Sequence, residues 1–533
     1  MIMKKTACVY LTVCFVLLVF PCCGKKFDSK RLRRIEYLYN TSKDHKRVGN
    51  AVSDMLKKHL SVDLVPLNME WKVYLKKMNQ LEYDLARSGW IGDYNDPMTF
   101  LNLMATDNGN NRTGWSNSEY DRLIREAARE QDQEKRKNLF YKAEEILWDE
   151  MPVVPLYFYV SRIMFRKDQV GGIYPNVRNW IRPGSLYCKP AKADRDSLIL
   201  VLDEEPKTLD PAHITGTIAI RVAAGLFEGL TVYNEKTLQP EPGLAESWTV
   251  SEDKKTYTFK LKKTYWSNGD ELIPDDLVYS WKRILLSETG AEYAYMMFPV
   301  RNAEKFHNNK CAFSEVGIQT EGNRLIVELE SPTPYFLDLT SFVTYYPVHK
   351  KTVETHGDQW IHPDHFLGNG AYVLKEHSMH NKIVLAKNTR YHAPGDVKLQ
   401  ELIMRIIPDE ITGFNEYEAG KADIITTVPI PIYRKLKDQN RDDLHVNPML
   451  GVYYIRFNVT RPPFDRKEVR RAIACAIDPD FITEKITASG EMPAYSFVPP
   501  GTAGKSSFKA EKMFDPEKAG ALLRKAGYSA GKP

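Results

Sequence analysis

The 533-residue chain is poor in cysteine: it has seven, and Cys8, Cys14, Cys22 and Cys23 all fall within the first 23 residues. Cys188, Cys311 and Cys475 stand far apart with no CxxC or Cys/His spacing around them. That excludes a disulfide framework and a zinc ribbon, leaving isolated thiols or at most one bridge. An excess of one charge is missing too. Seventy-four basic residues face 69 acidic ones, a net charge of +5 that falls to +3 without Lys4 and Lys5. So small and dispersed an excess excludes a nucleic-acid binder. No HExxH and no GxSxG element occurs, so an enzyme reading has neither a metal base nor a nucleophile to rest on. Hydrophobic residues at 43% and charged residues at 27% are ordinary globular usage, and the length allows three or four folding units at roughly 150 residues each. The 29 Tyr and 9 Trp exceed what apolar runs alone would use, and serve either core packing or ligand-lining surfaces.

Lys4 and Lys5 precede an uncharged stretch from Ala7 to Phe20, then Pro21, Cys22, Cys23 and Gly24. This is the layout of a secretory leader over residues 1–23, shorter than the about 20 apolar residues of a membrane span. A Cys directly after the apolar segment resembles the lipobox of bacterial lipoproteins, with Cys22 or Cys23 as the lipidated residue, although Phe20 and Pro21 stand where small residues are usual. The expected location is the periplasm or cell surface, as a membrane-anchored lipoprotein.

Beyond the leader, strand and helix patterns alternate. Ile35–Tyr39 reads as a strand, Val48–His59 as an amphipathic helix, Val62–Leu67 as a strand, Trp71–Met78 as a helix, Tyr83–Trp90 as a strand, and Glu119–Asp149 as one charge-rich helical stretch. Lys189–Asp196 is a polar linker. After it come a strand at Ser197–Leu202, a helix at Ile218–Phe227, sheet strands at Tyr257–Leu261 and Arg324–Leu329, a further α/β stretch from Ile383 to Leu450, and a helix at Asp515–Ala526. That last helix ends on Gly527 with no strand after it, a role Ile35–Tyr39 would fill. The pattern is α/β.

Several motifs carry a family resemblance. Leu244-Ala-Glu-Ser-Trp248, Tyr257-Thr-Phe259 and Trp266-Ser-Asn-Gly269 ahead of Asp276 to Ser280 resemble the signature of the extracellular solute-binding proteins of oligopeptide, dipeptide and nickel ABC importers. Asn369-Gly-Ala-Tyr372, Pro463-Phe-Asp465 to Arg470, and Ala476-Ile-Asp478 are similar to later landmarks, and Ser88-Gly-Trp90 with Asp93-Tyr-Asn-Asp-Pro97 resembles the ligand loop of the oligopeptide branch. In the family the Trp248 signature comes early and the Trp90 loop late, so the sequence resembles a circular permutant whose ordinary termini are joined near residues 189–196. Surface loops tolerate such rearrangement.

The resemblance implies a two-lobed, class II periplasmic-binding-protein-like fold in permuted order. Residues 34–160 would form the first part of the second lobe, and 161–188 would return to the first lobe. The linker is 189–196; 197–229 and 367–450 would build the first lobe, 230–366 a small extra domain, and 451–533 the rest of the second lobe. The lobes would close by a hinge over a peptide held as an added strand, with no cofactor and no metal, for delivery by a monomer to an inner-membrane permease.

The site residues follow from the same resemblance. Asp93 would receive the peptide ammonium, an interaction of about 4 kcal/mol at 4 Å in an effective dielectric of 20 before desolvation; without the resemblance it reads as a turn residue. Gly89 and Trp90 would supply backbone contacts and a flat wall, with Trp71 across the pocket. Arg87 would take a peptide carboxylate and His45 the C-terminus of a longer peptide. Thr215, Gly216 and Thr217 would offer main-chain hydrogen bonds, Tyr293, Tyr453 and Tyr454 would line the cleft, and Lys505 would face a ligand carboxylate. Core packing is the competing reading for both Trp, and a surface position for His45. Thr215 stands where the best-known oligopeptide binders have an acid and Met78 where they have an Arg, while Gly451 and Ile91 occupy the places of a disulfide found in some relatives.

Two other patterns are set aside. Gly504-Lys505-Ser506 resembles the end of a phosphate loop, but Pro499 stands where the first Gly is needed and has no N–H to offer. His356, His362 and His365 with Asp358 and Asp364 lack an i, i+4 pair and read as a solvated loop. The alternatives to a transport receptor are a secreted interaction or chaperone-like protein that kept the fold, or a binder of cell-wall peptides or metal chelates.

Overall fold

The computed structural model describes Leu32, residues 34–106 and residues 108–529; the leader with Cys22 and Cys23 lies outside the described residues. Among the described residues no helix is long and apolar enough to cross a membrane.

Strand β1 (Ile35–Asn40) is followed by α1 (Lys43–Leu60), which starts where Ser42 Oγ accepts from Asp44 N at 3.2 Å and stops at Ser61 in the left-handed region, φ 54°. Its buried stripe of Val48, Val52, Met55 and Leu56 covers the sheet. Strand β2 (Leu64–Met69), helix α2 (Trp71–Asn79) and strand β3 (Leu85–Ile91) follow, with β2 and β3 both parallel to β1. After α3 (Met98–Leu101), the expected single helical stretch is two helices, α4 (Ser118–Arg129) and α5 (Gln133–Glu150). Capping chemistry makes the break: Glu130 is extended, and Asp132 Oδ1 accepts from the N–H groups of Glu134 and Lys135, both at 3.0 Å.

Strand β4 (Val153–Phe165) leads to the segment 189–196, which is an ordered turn. Lys192 and Arg195 both reach the buried Asp423 carboxylate, with Arg195 Nη2 at 3.1 Å. Then come β5 (Ser197–Leu202) and α6 (Thr217–Leu226). Residues 230–366 hold a separate four-stranded antiparallel sheet and helix α7 (Pro274–Leu285), tied back by Arg283, which grips Asp210 with both guanidinium nitrogens at 2.5 and 2.8 Å. The chain closes the large sheet with β6 (Tyr372–Ser378), β7 (Lys382–Lys387), β8 (Glu401–Ile406), β9 (Ile424–Ile425), β10 (Leu444–Phe457) and β11 (Met492–Pro493).

The order of the large sheet is β6-β7-β8-β5-β9-β4-β10-β3-β1-β2, with β11 on β4. Its long strands β4 and β10 run antiparallel to each other, and Leu444–Pro448 pairs with 160–164 while Val452–Arg456 pairs with 153–158. The register shifts between these two halves. Bulges of this kind bend and twist a strand, so the two crossings carry a built-in flexure between the β5 side and the β3 side. One core lies around β1, α1 and the helices Lys467–Cys475 and Pro516–Lys525; a larger one extends through β5, α6 and the 230–366 unit. Cys188, Cys311 and Cys475 are free thiols. The His356 and His365 rings stack at 3.8 Å, and among the described residues no group of three or more metal-binding side chains comes together.

The loop from β3 to α3 is held by a buried ion pair. Arg136 on α5, 2% exposed, meets Asp96, 7% exposed, through both nitrogens at 2.5 and 2.8 Å, and its Nε donates to Ala127 O. Breaking one partner of such a pair leaves the other charge buried and uncompensated, which costs about 3–5 kcal/mol. Asp96→Asn is therefore expected to lower unfolding free energy by about that amount, measured by urea titration followed by fluorescence.

Candidate functional site

The β3–α3 loop places Asp93 at the wall of a cavity of about 200 Å³. Other walls come from Ile91 and Gly92, from Arg178 to Ile181, from Thr215, Thr217, Ile220 and Arg221 at the start of α6, and from Tyr293, Phe342 and Leu450. The cavity thus lies where the β3 side, the α6 side and the 230–366 unit meet.

Asp93 is 8% exposed. Tyr295 donates to its Oδ2 at 2.9 Å, Arg178 donates to its backbone carbonyl at 2.8 Å, and its own N–H donates to Thr99 Oγ1 at 3.2 Å. Burial pushes its carboxyl up to about 6, against the opposing effects of the Tyr295 hydroxyl, the Arg178 guanidinium and the Tyr293 hydroxyl. Tyr293 also donates to Thr215 O at 3.3 Å, so the phenols beside Asp93 bridge to the α6 entry. Gly216 is the N-cap of α6 and supplies no side-chain acceptor. Across the same junction Tyr94 and Tyr335 stack at 4.6 Å with planes 7° apart.

Along β3, side chains alternate, so Arg87, Gly89 and Ile91 share the face that leads away from the cavity. From Ile91 back to Arg87 is roughly 13 Å, the reach of about four extended residues. Arg87 donates to Tyr159 OH at 3.0 Å and Asn40 Oδ1 at 3.2 Å, and lies 5.0 Å from the centre of the Tyr453 ring. Gly89 is where it is because a Cβ there would sit 2.6 Å from the Tyr159 hydroxyl. His45 Nδ1 lies 3.1 Å from the Asn40 carbonyl, which only accepts, so Nδ1 carries the proton. Burial, with the neighbouring Arg87 charge, pulls His45 down to about 4, so Nε2 is a bare acceptor at neutral pH.

The other expected residues are placed elsewhere. Trp90 points to the opposite face of β3, with Nε1 3.4 Å from Thr99 Oγ1. Trp71 opens α2, 47% exposed and stacked on Tyr74 at 5.7 Å; the Tyr74 hydroxyl in turn donates to the Arg87 carbonyl. Tyr453 and Tyr454 are buried, the latter accepting from Arg456 at 2.8 Å. Lys505 donates to the carbonyls of Ser506 and Phe508, at 3.4 and 3.1 Å. Met78 is buried, and Gly451 pairs across the sheet with Ile91. Tyr295, Tyr159, Arg178 and Arg221 were not singled out from the sequence. They are brought in by contacts across tens to hundreds of residues, and a lone Arg or Tyr in an ordinary helix or loop gives no local signal.

Two long antiparallel strands, a cavity where the β3 side, the α6 side and the 230–366 unit meet, and a buried carboxylate at its wall are features of a two-lobed solute-binding fold. The chain belongs to a bacterial family of this class: its residues 23–112 and 239–533 match the bacterial extracellular solute-binding proteins, family 5 Middle. It is 34% identical over 351 residues to the periplasmic oligopeptide-binding protein OppA of Escherichia coli K12, covering 64% of either chain. Among solved structures, it resembles the murein tripeptide binding protein MppA of Escherichia coli at TM-score 0.58 and 33% identity, covering 64% of this chain and 68% of that one. Haemophilus influenzae OppA in complex with the peptide RPPGFSPFR is similar at TM-score 0.54 and 29% identity, over 63% of this chain and 67% of that one. The chain thus spans a little under two thirds of the length of the curated relatives it matches.

With its carboxyl raised from 3.8 to about 6, Asp93 opposes folding above pH 6 and is neutral in both states below about pH 4. Stability of the empty protein from this group therefore rises as pH falls from 7 to 4. Asn mimics the neutral acid, so Asp93→Asn is expected to stabilise the empty protein by about 3 kcal/mol at pH 7 and by almost nothing at pH 4, read by urea unfolding at both pH values.

Proposed function

We propose that this protein captures peptides between its lobes and delivers them, as a monomer, to the inner-membrane permease of an ABC importer. It would work in the periplasm, anchored through lipid on Cys22 or Cys23, without catalysis and without a cofactor. The observation that carries this reading is the buried Asp93 carboxylate at the cavity wall, with no cation within ion-pair distance of its side-chain oxygens among the described residues. Every linear peptide with a free amino end brings the ammonium such a group lacks. The face of β3 from Ile91 to Arg87 then gives the peptide main chain an extended wall, with the Arg87 guanidinium at its far end for a carboxylate. The names of the relatives, oligopeptide-binding and murein tripeptide-binding, support peptides as the ligand class.

The test is calorimetry of the chain from residue 25 onward with a mixed pool of di- to pentapeptides, the retained species being identified by mass spectrometry. Binding is expected to be tight at pH 7 and about tenfold weaker at pH 5, because only the ionised Asp93 pairs with the ammonium. Asp93→Asn should lose both the affinity and its pH dependence. A well-folded protein that retains no peptide would refute the reading and favour an interaction or chaperone-like role.

The family segments are, in this proposal, joined in circularly permuted order at residues 189–196. Support comes from the packing of the helix Pro516–Lys525 into the same core as β1 and α1. A chain rebuilt as 196–529 followed by 34–188 is expected to melt at about the same temperature and to keep its peptide affinity. A rebuilt chain that cannot fold would contradict the permutation.

A further inference from the structure

The cavity holds more positive charge than an ammonium site needs. Arg221, on the first turns of α6, is 6% exposed and lines the cavity; its hydrogen bond is a long one, 3.4 Å to Thr426 Oγ1. Among the described residues no carboxylate lies within ion-pair distance of it, the nearest electrostatic partner being Asp203. Burial pulls its guanidinium down to about 10, which leaves it charged at neutral pH. Arg178 lines the same cavity. It spends Nη2 on the Asp93 carbonyl, lies over the Tyr233 ring at 4.3 Å, and its buried Nη1 has no hydrogen-bond acceptor among the described residues. Asp338 acts on Arg178 only at a distance, without an ion-pair contact. The first-turn N–H groups of α6, with no side-chain cap at Gly216, add to the positive potential.

One acid therefore faces two arginines that lack a bonded carboxylate. An ammonium docking at Asp93 meets the Arg178 guanidinium beside it and takes up the one carboxylate that lines the cavity. Buried donors left without acceptors are unfavourable, and a ligand that supplies the acceptor gains in discrimination as well as affinity. A volume of about 200 Å³ lies below the roughly 300–1,000 Å³ of sites that enclose a drug-sized ligand, so this cavity takes the leading residues of a peptide.

Resting on the peptide reading above, we propose that the cavity selects peptides with an acidic side chain at the first or second residue, Arg178 and Arg221 pairing with that carboxylate while Asp93 holds the ammonium. Selection acts on the ligand's second charge, and the main-chain contacts along β3 stay indifferent to sequence.

The test uses the full mature chain and matched tripeptides: Glu-Ala-Ala, Ala-Glu-Ala and Ala-Ala-Glu, each against its Gln counterpart, titrated by calorimetry. Glu at position one or two is expected to bind at least tenfold tighter than Gln there, with little difference at position three. In Arg221→Gln the ratio of Glu-peptide to Gln-peptide affinity should shrink to about twofold or less. Equal binding of Glu and Gln peptides to the unaltered protein overturns the inference and leaves peptide capture standing. A preference confined to position three also overturns it. No binding by any peptide overturns peptide capture and this inference together. The Glu-to-Gln ratio of the unaltered protein decides the matter even if Arg221→Gln does not fold.

Discussion

The Arg136–Asp96 pair is the constraint on which the site depends. Arg136 is fixed on three sides: its Nε is bonded to the Ala127 carbonyl at the end of α4, and its guanidinium sits 4.7 Å from the Phe140 ring and 5.9 Å from that of Tyr335. Asp96 uses the oxygen facing Arg136 Nη2 to accept from Met98 N as well, at 2.9 Å, so one carboxylate shapes both the loop and the start of α3. A surface ion pair is worth little, but one held in place by this many contacts fixes geometry even where its net stabilisation is small. The consequence for Asp93, three residues earlier, is that the loop carrying it is pinned at Asp96 and loses freedom to move.

That loss of freedom links the fold to the chemistry. An exposed carboxylate would stay near its ordinary pKa and meet an ammonium in high dielectric, where the attraction is weak. Burial raises the pKa and strengthens the attraction together, and the Tyr295 phenol keeps the ionised form within reach at neutral pH. Here stability is traded against readiness to bind, as at many functional sites.

Much of this was legible in the sequence. The strands and helices from residue 35 to 91 follow the period-2 and period-3.6 patterns closely, and Ser197–Leu202 coincides with β5 in full. Asp93 was legible only through its neighbours Ser88-Gly-Trp90 and Asp93-Tyr-Asn-Asp-Pro97, since a lone Asp in a turn carries no message of its own. The break at residues 130–132 was also present, because Asp132 two residues ahead of Glu134 is a capping acceptor, but the charge pattern runs through it unbroken. Tyr295, Arg178 and Arg221 were beyond reach. Arg178 and Arg221 take their meaning from the cavity they line, and Tyr295 from its bond to Asp93, 202 residues away. Trp90 shows the converse: the motif that contains it was informative, yet strand alternation turns its ring away from the face that Arg87 and Ile91 share.

The hydrogen bond from Tyr295 to Asp93 joins the 230–366 unit to the loop after β3. It is therefore a tie between two parts of the fold as well as a modifier of one carboxylate. A tie made by the protein's own atoms favours any arrangement that keeps it, and a ligand adds only the difference between its affinities for arrangements with and without it.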